Sequence, residues 1–380
     1  MNSYAAALSR HPLAFEAVGE TAGEIIEQFD GEHPDLVVCF ASAEHSGVFE
    51  DVSDGLRKLL EPEVFMGCSA IAVAGGGIEV EREPGLSVFA ARFGGGRVTG
   101  VMLDAERTDD GFAIAGWPDE LPTRGTLLTL ADPFTFPMVD FLRLCNAQVP
   151  DLQIMGGMAS AAAGPGGNRL VLDDRIVTTG AVGVMCSDDV PIRAVVSQGC
   201  RPIGTPLTIT SAERNFAHEL AGRPAMERLQ EIVQAATEAD RKLMREGLHV
   251  GIVVDEHRLD FERGDFLVRN LLGVDQATGS LAFSEPVEVG QTVQFQVRDA
   301  AAADEDLRCL LEGVSGSGAL MFTCNGRGTH LFTAPDHDAG VVAELLGDVP
   351  MAGAFCAGEI GPVGGRNFLH GFTASVAVFS

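Results

Sequence analysis

Two short polar segments near the C-terminus carry the side chains best suited to chemistry. The first, Asn325-Gly326-Arg327-Gly328, follows a strongly apolar stretch and places a guanidinium between two glycines. Glycine permits close backbone approach, and arginine binds a carboxylate or phosphate through two parallel hydrogen bonds. The segment lacks the lysine and spacing of a P-loop and the pattern of a dinucleotide fingerprint. An anion site and a structural salt bridge both remain open as interpretations.

The second segment, Cys356-Ala357-Gly358-Glu359-Ile360-Gly361-Pro362, sets a carboxylate between glycines just past another apolar strand. Glu359 could accept hydrogen bonds from a ligand ammonium, or it could cap a nearby loop. We favour the ligand role, because a cleft beside this segment would be lined by small residues.

Cysteines and histidines in the same third of the chain offer two alternatives. Cys324 or Cys356 could act as a nucleophile with His330 or His370 as base, and an exposed histidine could ligate haem iron. Neither a nucleophile elbow nor an acid partner for such a pair is visible in the sequence. A cysteine enzyme and a haem-based gas sensor therefore stay as alternatives to simple ligand binding.

One further arginine lies in a segment bounded by glycine and proline. Arg201 belongs to Gly199-Cys200-Arg201-Pro202-Ile203-Gly204-Thr205-Pro206, where proline fixes φ and glycine relieves steric limits. The pattern predicts a rigid turn between two strands. A second anion donor is the functional interpretation of the same residue.

These segments must be positioned by a block that occurs three times along the chain. Each copy predicts an apolar strand, a helix, a Gly-containing turn and a closing apolar strand, with about thirty residues from first strand to turn, as a crossover helix requires. The copies start at Asp35, Thr126 and Gly318. By this register the segments at 68–70, 158–160 and 356–362 are equivalent, so we expect them to converge on one face.

Composition restricts the function classes. The 380 residues are 46% hydrophobic and carry a net charge of -28, which disfavours nucleic acid and anionic membrane surfaces as partners. The eight cysteines form no zinc-type spacing, so we expect reduced thiols and no metal site. With neither a signal peptide nor a long apolar segment predicted, the expected location is the cytoplasm.

The predicted fold class is α/β with mixed parallel and antiparallel sheets, strand-helix-strand pseudo-repeats and two closely packed halves. Between the second and third repeats the pattern predicts a helical segment over 223–246. Four strand candidates then follow, at 249–255, 266–272, 279–283 and 293–297.

Taken in order, five strings resemble the FIST family of intracellular sensory domains. They are Ser197-Gln198-Gly199-Cys200-Arg201-Pro202-Ile203-Gly204, Val297-Arg298-Asp299, Cys324-Asn325-Gly326-Arg327-Gly328, Cys356-Ala357-Gly358-Glu359-Ile360-Gly361-Pro362 and Leu369-His370-Gly371-Phe372-Thr373. The resemblance implies a FIST N-like domain over 34–217 and a FIST C-like domain over 218–364, with 365–380 completing its final strand. It also implies a cytoplasmic sensor of small ligands such as amino acids, and some relatives look like haem-dependent sensors. A separate signalling protein would then receive the signal.

The sequence thus predicts a non-enzymatic small-ligand sensor, with no membrane or nucleic-acid partner and no catalytic residue assigned. For an amino acid or another small carboxylate, Arg327 and Arg201 would take the carboxylate and Glu359 the ammonium. The predicted ligand-binding residues are Asn325, Gly326, Arg327, Gly328, Glu359, Arg201, Cys356 and His370.

Overall fold

The structure is a computed structural model that describes residues 2–108, 111–117, 124–258, 260–261 and 264–380. The chain forms two compact units. The first contains residues 1–196, 307–369 and 373–380, and the second contains residues 197–306 and 370–372. The predicted sequence boundary at 217 to 218 stays a prediction, because compact units and sequence domains need not coincide.

The helices and strands of the described residues have the following bounds. The helices are α1 (Ala14–Gln28), α2 (Phe49–Leu60), α3 (Met138–Gln148), α4 (Ala225–Ala235), α5 (Glu238–Glu246), α6 (Ala300–Leu311) and α7 (His337–Leu346). The first fourteen strands are β1 (Ser3–Ser9), β2 (Leu36–Ser42), β3 (Val64–Ala70), β4 (Ala72–Gly75), β5 (Ile78–Glu81), β6 (Leu86–Arg92), β7 (Val98–Thr108), β8 (Gly111–Ala115), β9 (Gly125–Ala131), β10 (Leu152–Met158), β11 (Leu170–Leu172), β12 (Arg175–Val177), β13 (Ala181–Cys186) and β14 (Ile192–Gln198). The later strands are β15 (Cys200–Glu213), β16 (Phe216–Leu220), β17 (Arg223–Pro224), β18 (Leu248–Val253), β19 (Phe266–Asp275), β20 (Ser280–Phe283), β21 (Thr292–Arg298), β22 (Gly318–Cys324), β23 (Met351–Cys356), β24 (Glu359–Val363), β25 (Arg366–His370) and β26 (Thr373–Phe379).

Three copies of one motif build the first unit. In each copy a helix connects two parallel strands, and a later strand pairs antiparallel with the first of the two. The parallel pairs are β2 with β3, β9 with β10 and β22 with β23, and the closing strands are β6, β13 and β26. The strand-helix-strand repeat and the mixed-sheet α/β class predicted from the sequence are therefore confirmed.

Each repeat also donates a hairpin to the sheet of another repeat. The hairpin β4–β5 of the first repeat pairs with β23 of the third, β11–β12 of the second pairs with β3 of the first, and β24–β25 of the third pairs with β10 of the second. Each hairpin covers the outer edge of a parallel strand, an edge that would otherwise be open to pairing with another chain. This cyclic exchange ties together three repeats that are far apart in sequence.

One apolar core lies between the inner faces of the three sheets. All three repeats contribute to it, and the rings of Phe40 and Phe322 meet there edge to face at 6.0 Å. On the outer faces, α1 and α2 cover the first sheet, α3 the second and α6 with α7 the third. The central strands are thus buried on both faces, which explains why their sequences are continuously apolar and do not alternate.

The second unit is built around a closed antiparallel sheet. Its strands follow the order β15-β21-β18-β19-β20-β16, and β15 also pairs with β16, which closes the barrel. The four strand candidates predicted between 249 and 297 correspond to β18 to β21. The single predicted helix is wrong, because α4 ends at Ala235 and α5 starts anew after Thr237, whose hydroxyl accepts the Asp240 N–H as an N-cap.

Candidate functional site

The two predicted polar loops leave neighbouring strands at the same level. Cys324 at the end of β22 lies opposite Cys356 at the end of β23, because the strands are parallel and in register. The N–H of Asn325 donates to the carbonyl of Cys356 at 2.9 Å, so the two loops begin side by side. Asn325 itself is exposed, and Gly326 is half-buried.

The Gly-containing turns of the three repeats converge as predicted. The N–H of Ala357 donates to the carbonyl of Met158 at 3.0 Å, and the Ser160 hydroxyl donates to the carbonyl of Phe355. The N–H of Ser160 also donates to the carbonyl of Ser69 at 3.4 Å. The site therefore lies where all three repeats meet.

Arg327 lies beneath its loop with a side chain that is 0% exposed. Its Nε and Nη2 donate to the two carboxylate oxygens of Asp338 at 2.6 and 2.7 Å, and the Thr323 hydroxyl donates to the same carboxylate at 2.6 Å. Burial alone would raise the pKa of Asp338, but the guanidinium outweighs it and holds that pKa well below its ordinary value. The structural salt bridge left open by the sequence is present. It occupies the edge of Arg327 expected to bind a ligand carboxylate.

One group of Arg327 is left over. Its Nη1, also buried, has no hydrogen-bond partner among the described residues. A buried donor without a partner costs about 1 to 3 kcal/mol, so such an atom calls for an explanation.

Glu359 opens β24 and is fully buried. Its Oε2 accepts the N–H of Thr373 at 3.2 Å and the hydroxyl of the same residue at 2.8 Å, whereas no N–H or O–H of the described chain donates to Oε1. Burial raises the pKa of Glu359 to about 8, although the Thr373 hydrogen bonds, the charge of Arg327 and the neighbouring Cys324 side chain act in the opposite direction. At pH 7 the carboxyl is therefore mostly protonated.

The unpartnered atoms of Arg327 and Glu359 belong to one buried cluster. The charge of Arg327 lowers the pKa of Glu359, and the charge of Glu359 raises the pKa of Arg327, because both side chains are buried in the same low-dielectric surroundings. Cys324 and Cys356 complete the cluster, and the N–H of Gly326 donates to the Cys324 sulfur at 3.4 Å. The arrangement offers one free cationic donor and one free carboxyl oxygen.

The loop from 325 to 332 covers this cluster. Thr329 is exposed, yet its N–H and its hydroxyl donate to the two carboxylate oxygens of Glu81, each at 2.9 Å. Gly328 adopts φ of +52°, and a Cβ there would lie 2.7 Å from the Glu81 carboxylate. Because Glu81 belongs to the hairpin donated by the first repeat, that hairpin pins the loop in place.

The sequence analysis did not identify Glu79, which is a further buried acid. One of its oxygens, Oε1, accepts the N–H groups of Asp338 and Ala339 at 2.9 and 3.0 Å, so it caps the start of α7. Burial, followed by the charge of Asp338, raises the pKa of Glu79 to about 8. The alternating Ile78-Glu79-Val80-Glu81 resembles a surface hairpin in sequence, and nothing local signals that Glu79 points inward.

The remaining predicted residues, Arg201 and His370, belong to the second unit. The sequence predicted that segment 199–206 is a turn between strands. This prediction is wrong, because nearly all of the segment lies within β15. Arg201 donates through Nε to Asp299 at 2.7 Å and through Nη2 to Asp240, and it lines a cavity of about 500 Å³. His370 is buried at the end of β25.

Two further properties bear on function. Among the described residues no group of histidine, cysteine and acidic side chains could hold a metal ion. Across the same ranges of the chain, none of the helices combines the length and apolar character needed to cross a membrane.

Comparison with known proteins gives the family. A FIST N domain model matches residues 35–223, and a FIST C domain model matches residues 225–362. An uncharacterized protein of Mycobacterium bovis is 44% identical over 376 residues, which cover 97% of this chain and 96% of that protein. An uncharacterized protein of Mycobacterium tuberculosis is 42% identical over 378 residues, 98% of each chain. Domains of this kind are regarded as sensory domains of signalling proteins, and the chain belongs to the FIST family.

Proposed function

We propose that the chain is a sensory protein that binds a small polar ligand at the buried cluster of the first unit. One observation carries the proposal. Arg327 Nη1 and Glu359 Oε1 are buried and without hydrogen-bond partners among the described residues, whereas Arg327 Nε and Nη2 donate to Asp338 and Glu359 Oε2 accepts from Thr373. Native proteins rarely leave such atoms unpaired, so a guest molecule that pairs with both is the simplest explanation.

The chemistry of the two atoms defines the ligand. Arg327 Nη1 donates to a single carboxylate or carbonyl oxygen, since Asp338 already takes the bidentate edge. Glu359 Oε1 would accept a hydrogen bond from the ligand ammonium. This positive charge would lower the pKa of the carboxyl, which then releases its proton. An α-amino acid supplies both groups at a short separation. Asn325, exposed at the edge of the loop, would meet the ligand as it enters.

The signal would pass through the loop from 325 to 332. A ligand reaches the cluster when the Thr329–Glu81 contacts release that loop, and the loop then closes over the guest in a new position. A separate signalling protein would read this exposed segment.

The cysteine-dependent alternative finds less support. Burial, then the charge of Glu359, raises the pKa of the Cys356 thiol well above its ordinary value. The thiolate is the nucleophilic form, so this thiol stays unreactive at neutral pH.

Titration calorimetry with a panel of α-amino acids tests the proposal. With a Glu359 pKa of about 8, binding an ammonium should release about 0.9 proton at pH 7 and about 0.5 proton at pH 8, where the amino group of a free amino acid is still protonated. Proton release is measured by repeating the titration in phosphate and in Tris, whose ionisation enthalpies differ. The matching carboxylic acid without its amino group should bind without releasing a proton.

The substitution Glu359→Gln keeps the shape and the Thr373 contacts but cannot ionise. It should abolish proton release and weaken binding at least about tenfold, a loss of about 1.4 kcal/mol. Glu312→Gln, at an exposed glutamate of the same unit, is the matched control and should behave like the wild type. Binding with undiminished proton release in Glu359→Gln would refute the site, as would a panel in which no compound binds.

A further inference from the structure

We infer that the second unit contains a separate ligand site, an open cavity beside β15 that takes a small carboxylate carrying an apolar chain. The cavity has a volume of about 500 Å³, within the range of small-molecule sites. Every residue that lines it belongs to the second unit. The inference is therefore independent of the ligand proposed for the Arg327 and Glu359 cluster.

A bulge in β15 forms one wall of the cavity. Pairing with β21 jumps from Ile203 opposite Phe295 to Leu207 opposite Val293, so β15 carries two more residues than its partner across this interval. The extra residues lie in Gly204-Thr205-Pro206, and the amide of Gln294 holds the bulge by donating to the Gly204 carbonyl at 2.8 Å. A bulge fixed in this way opens the space between the strand and α4.

The floor of the cavity is apolar. Ile203, Leu207 and Ile232 line it together with Ala235 at the end of α4. Gly204 has φ of +66°, and a Cβ at this position would lie 3.0 Å from Ile232. Glycine thus keeps the strand close to the helix while leaving the neighbouring surface free for an apolar chain.

Arg201 supplies the polar end. Asp299 and Asp240 hold its Nε and Nη2, which fixes the guanidinium plane, and its Nη1 has no partner in the described chain. The side chain is 29% exposed, so this free donor is accessible. A fixed donor above an apolar floor matches a monoanionic carboxylate.

The other charges of the cavity argue against a cationic ligand. Asp240 is paired with Arg201, and Glu231 is paired with Arg223 and Arg228. Both oxygens of each carboxylate already accept a hydrogen bond from the chain, so neither side chain presents an unused oxygen to a cation. The unused polar group is the donor of Arg201, which suits a carboxylate.

Octanoate and octanol provide the probes, titrated into the full-length protein by calorimetry. Ala235 is exposed and lines the cavity, so Ala235→Trp should fill the space without disturbing the core. Ala239 is also exposed, on α5, but lies outside the cavity, which makes Ala239→Trp the matched control.

We expect saturable octanoate binding that is at least about tenfold tighter than that of octanol, because Arg201 recognises the charge. Ala235→Trp should lose this binding by a similar factor, while Ala239→Trp and Glu359→Gln retain it. The inference is overturned if octanoate does not bind, if octanol binds as tightly, or if Ala235→Trp binds octanoate like the wild type. Failure of the amino acid site would appear separately, as a loss confined to the Glu359 experiments.

Discussion

Replacement of Glu359 by glutamine should change how the stability of the first unit depends on pH. The folded state raises the pKa of this carboxyl from 4.5 to about 8. Between these values the folded protein keeps a proton that the unfolded chain releases, so the free energy of unfolding falls as pH rises. The contribution is fully present below pH 4.5, is lost through pH 8 and is constant above it.

The magnitude follows from the same two pKa values. The folded and unfolded pKa values differ by about 3.5, which corresponds to about 5 kcal/mol at high pH. Between pH 5 and pH 8 the loss from Glu359 alone is about 3.5 kcal/mol. The Glu359→Gln variant lacks this term, while Glu79 titrates in both proteins and cancels in the comparison.

Urea unfolding followed by tryptophan fluorescence measures this difference. Trp117 is the single tryptophan of the chain, and its ring packs edge to face on Phe141 at 5.2 Å, so it reports on the first unit. From pH 5 to pH 8, the free energy of unfolding of the wild type should fall relative to that of Glu359→Gln by about 3.5 kcal/mol. The free energy of unfolding of Glu312→Gln should depend on pH as that of the wild type does. Parallel curves for Glu359→Gln would show that Glu359 does not carry a buried proton.

Three further substitutions test the surroundings of the site. Gly328→Ala should destabilise the first unit by about 1 to 3 kcal/mol, because φ is +52° and the Glu81 carboxylate would contact the added Cβ. Its control, Gly340→Ala, adds a methyl group in open space on α7 and should stabilise the unit by up to about 1 kcal/mol. Equal effects of the two substitutions in urea unfolding would contradict the loop geometry. Asp338→Asn should cost about 3 kcal/mol, since it leaves the buried charge of Arg327 without its partner, and an unchanged urea midpoint would refute that pairing. Cys309 is the one exposed cysteine, so Cys309→Ser should remove fast iodoacetamide labelling of native protein; a fast thiol remaining in this variant would revive the cysteine enzyme.

The sequence predicts those parts of the fold that depend on local pattern. Apolar runs, helical spacing and Gly-containing turns recur in three copies, so the parallel strand pairs and the meeting of their loops could be predicted. The hairpin exchange could not. Strand pairing between β4 and β23 joins segments almost three hundred residues apart, and neither strand carries a local mark of its partner.

The same distinction holds for the candidate site. Arg327 and Glu359 were found because an ionisable residue between glycines at a strand end is unusual. The sequence did not predict that Arg327 is already paired. Its partner, Asp338, lies in the first turn of α7, where an acidic residue is common and gives no sign of a buried ion pair. Glu79 was missed because its burial depends on a hairpin that crosses to another repeat.

A crystallographic map of the protein soaked with the tightest-binding amino acid tests the central claim most directly. We predict density for the ligand carboxylate within hydrogen-bond distance of Arg327 Nη1, and for its ammonium within the same distance of Glu359 Oε1. Ligand density at a different place, with both atoms still unpartnered, would contradict the account.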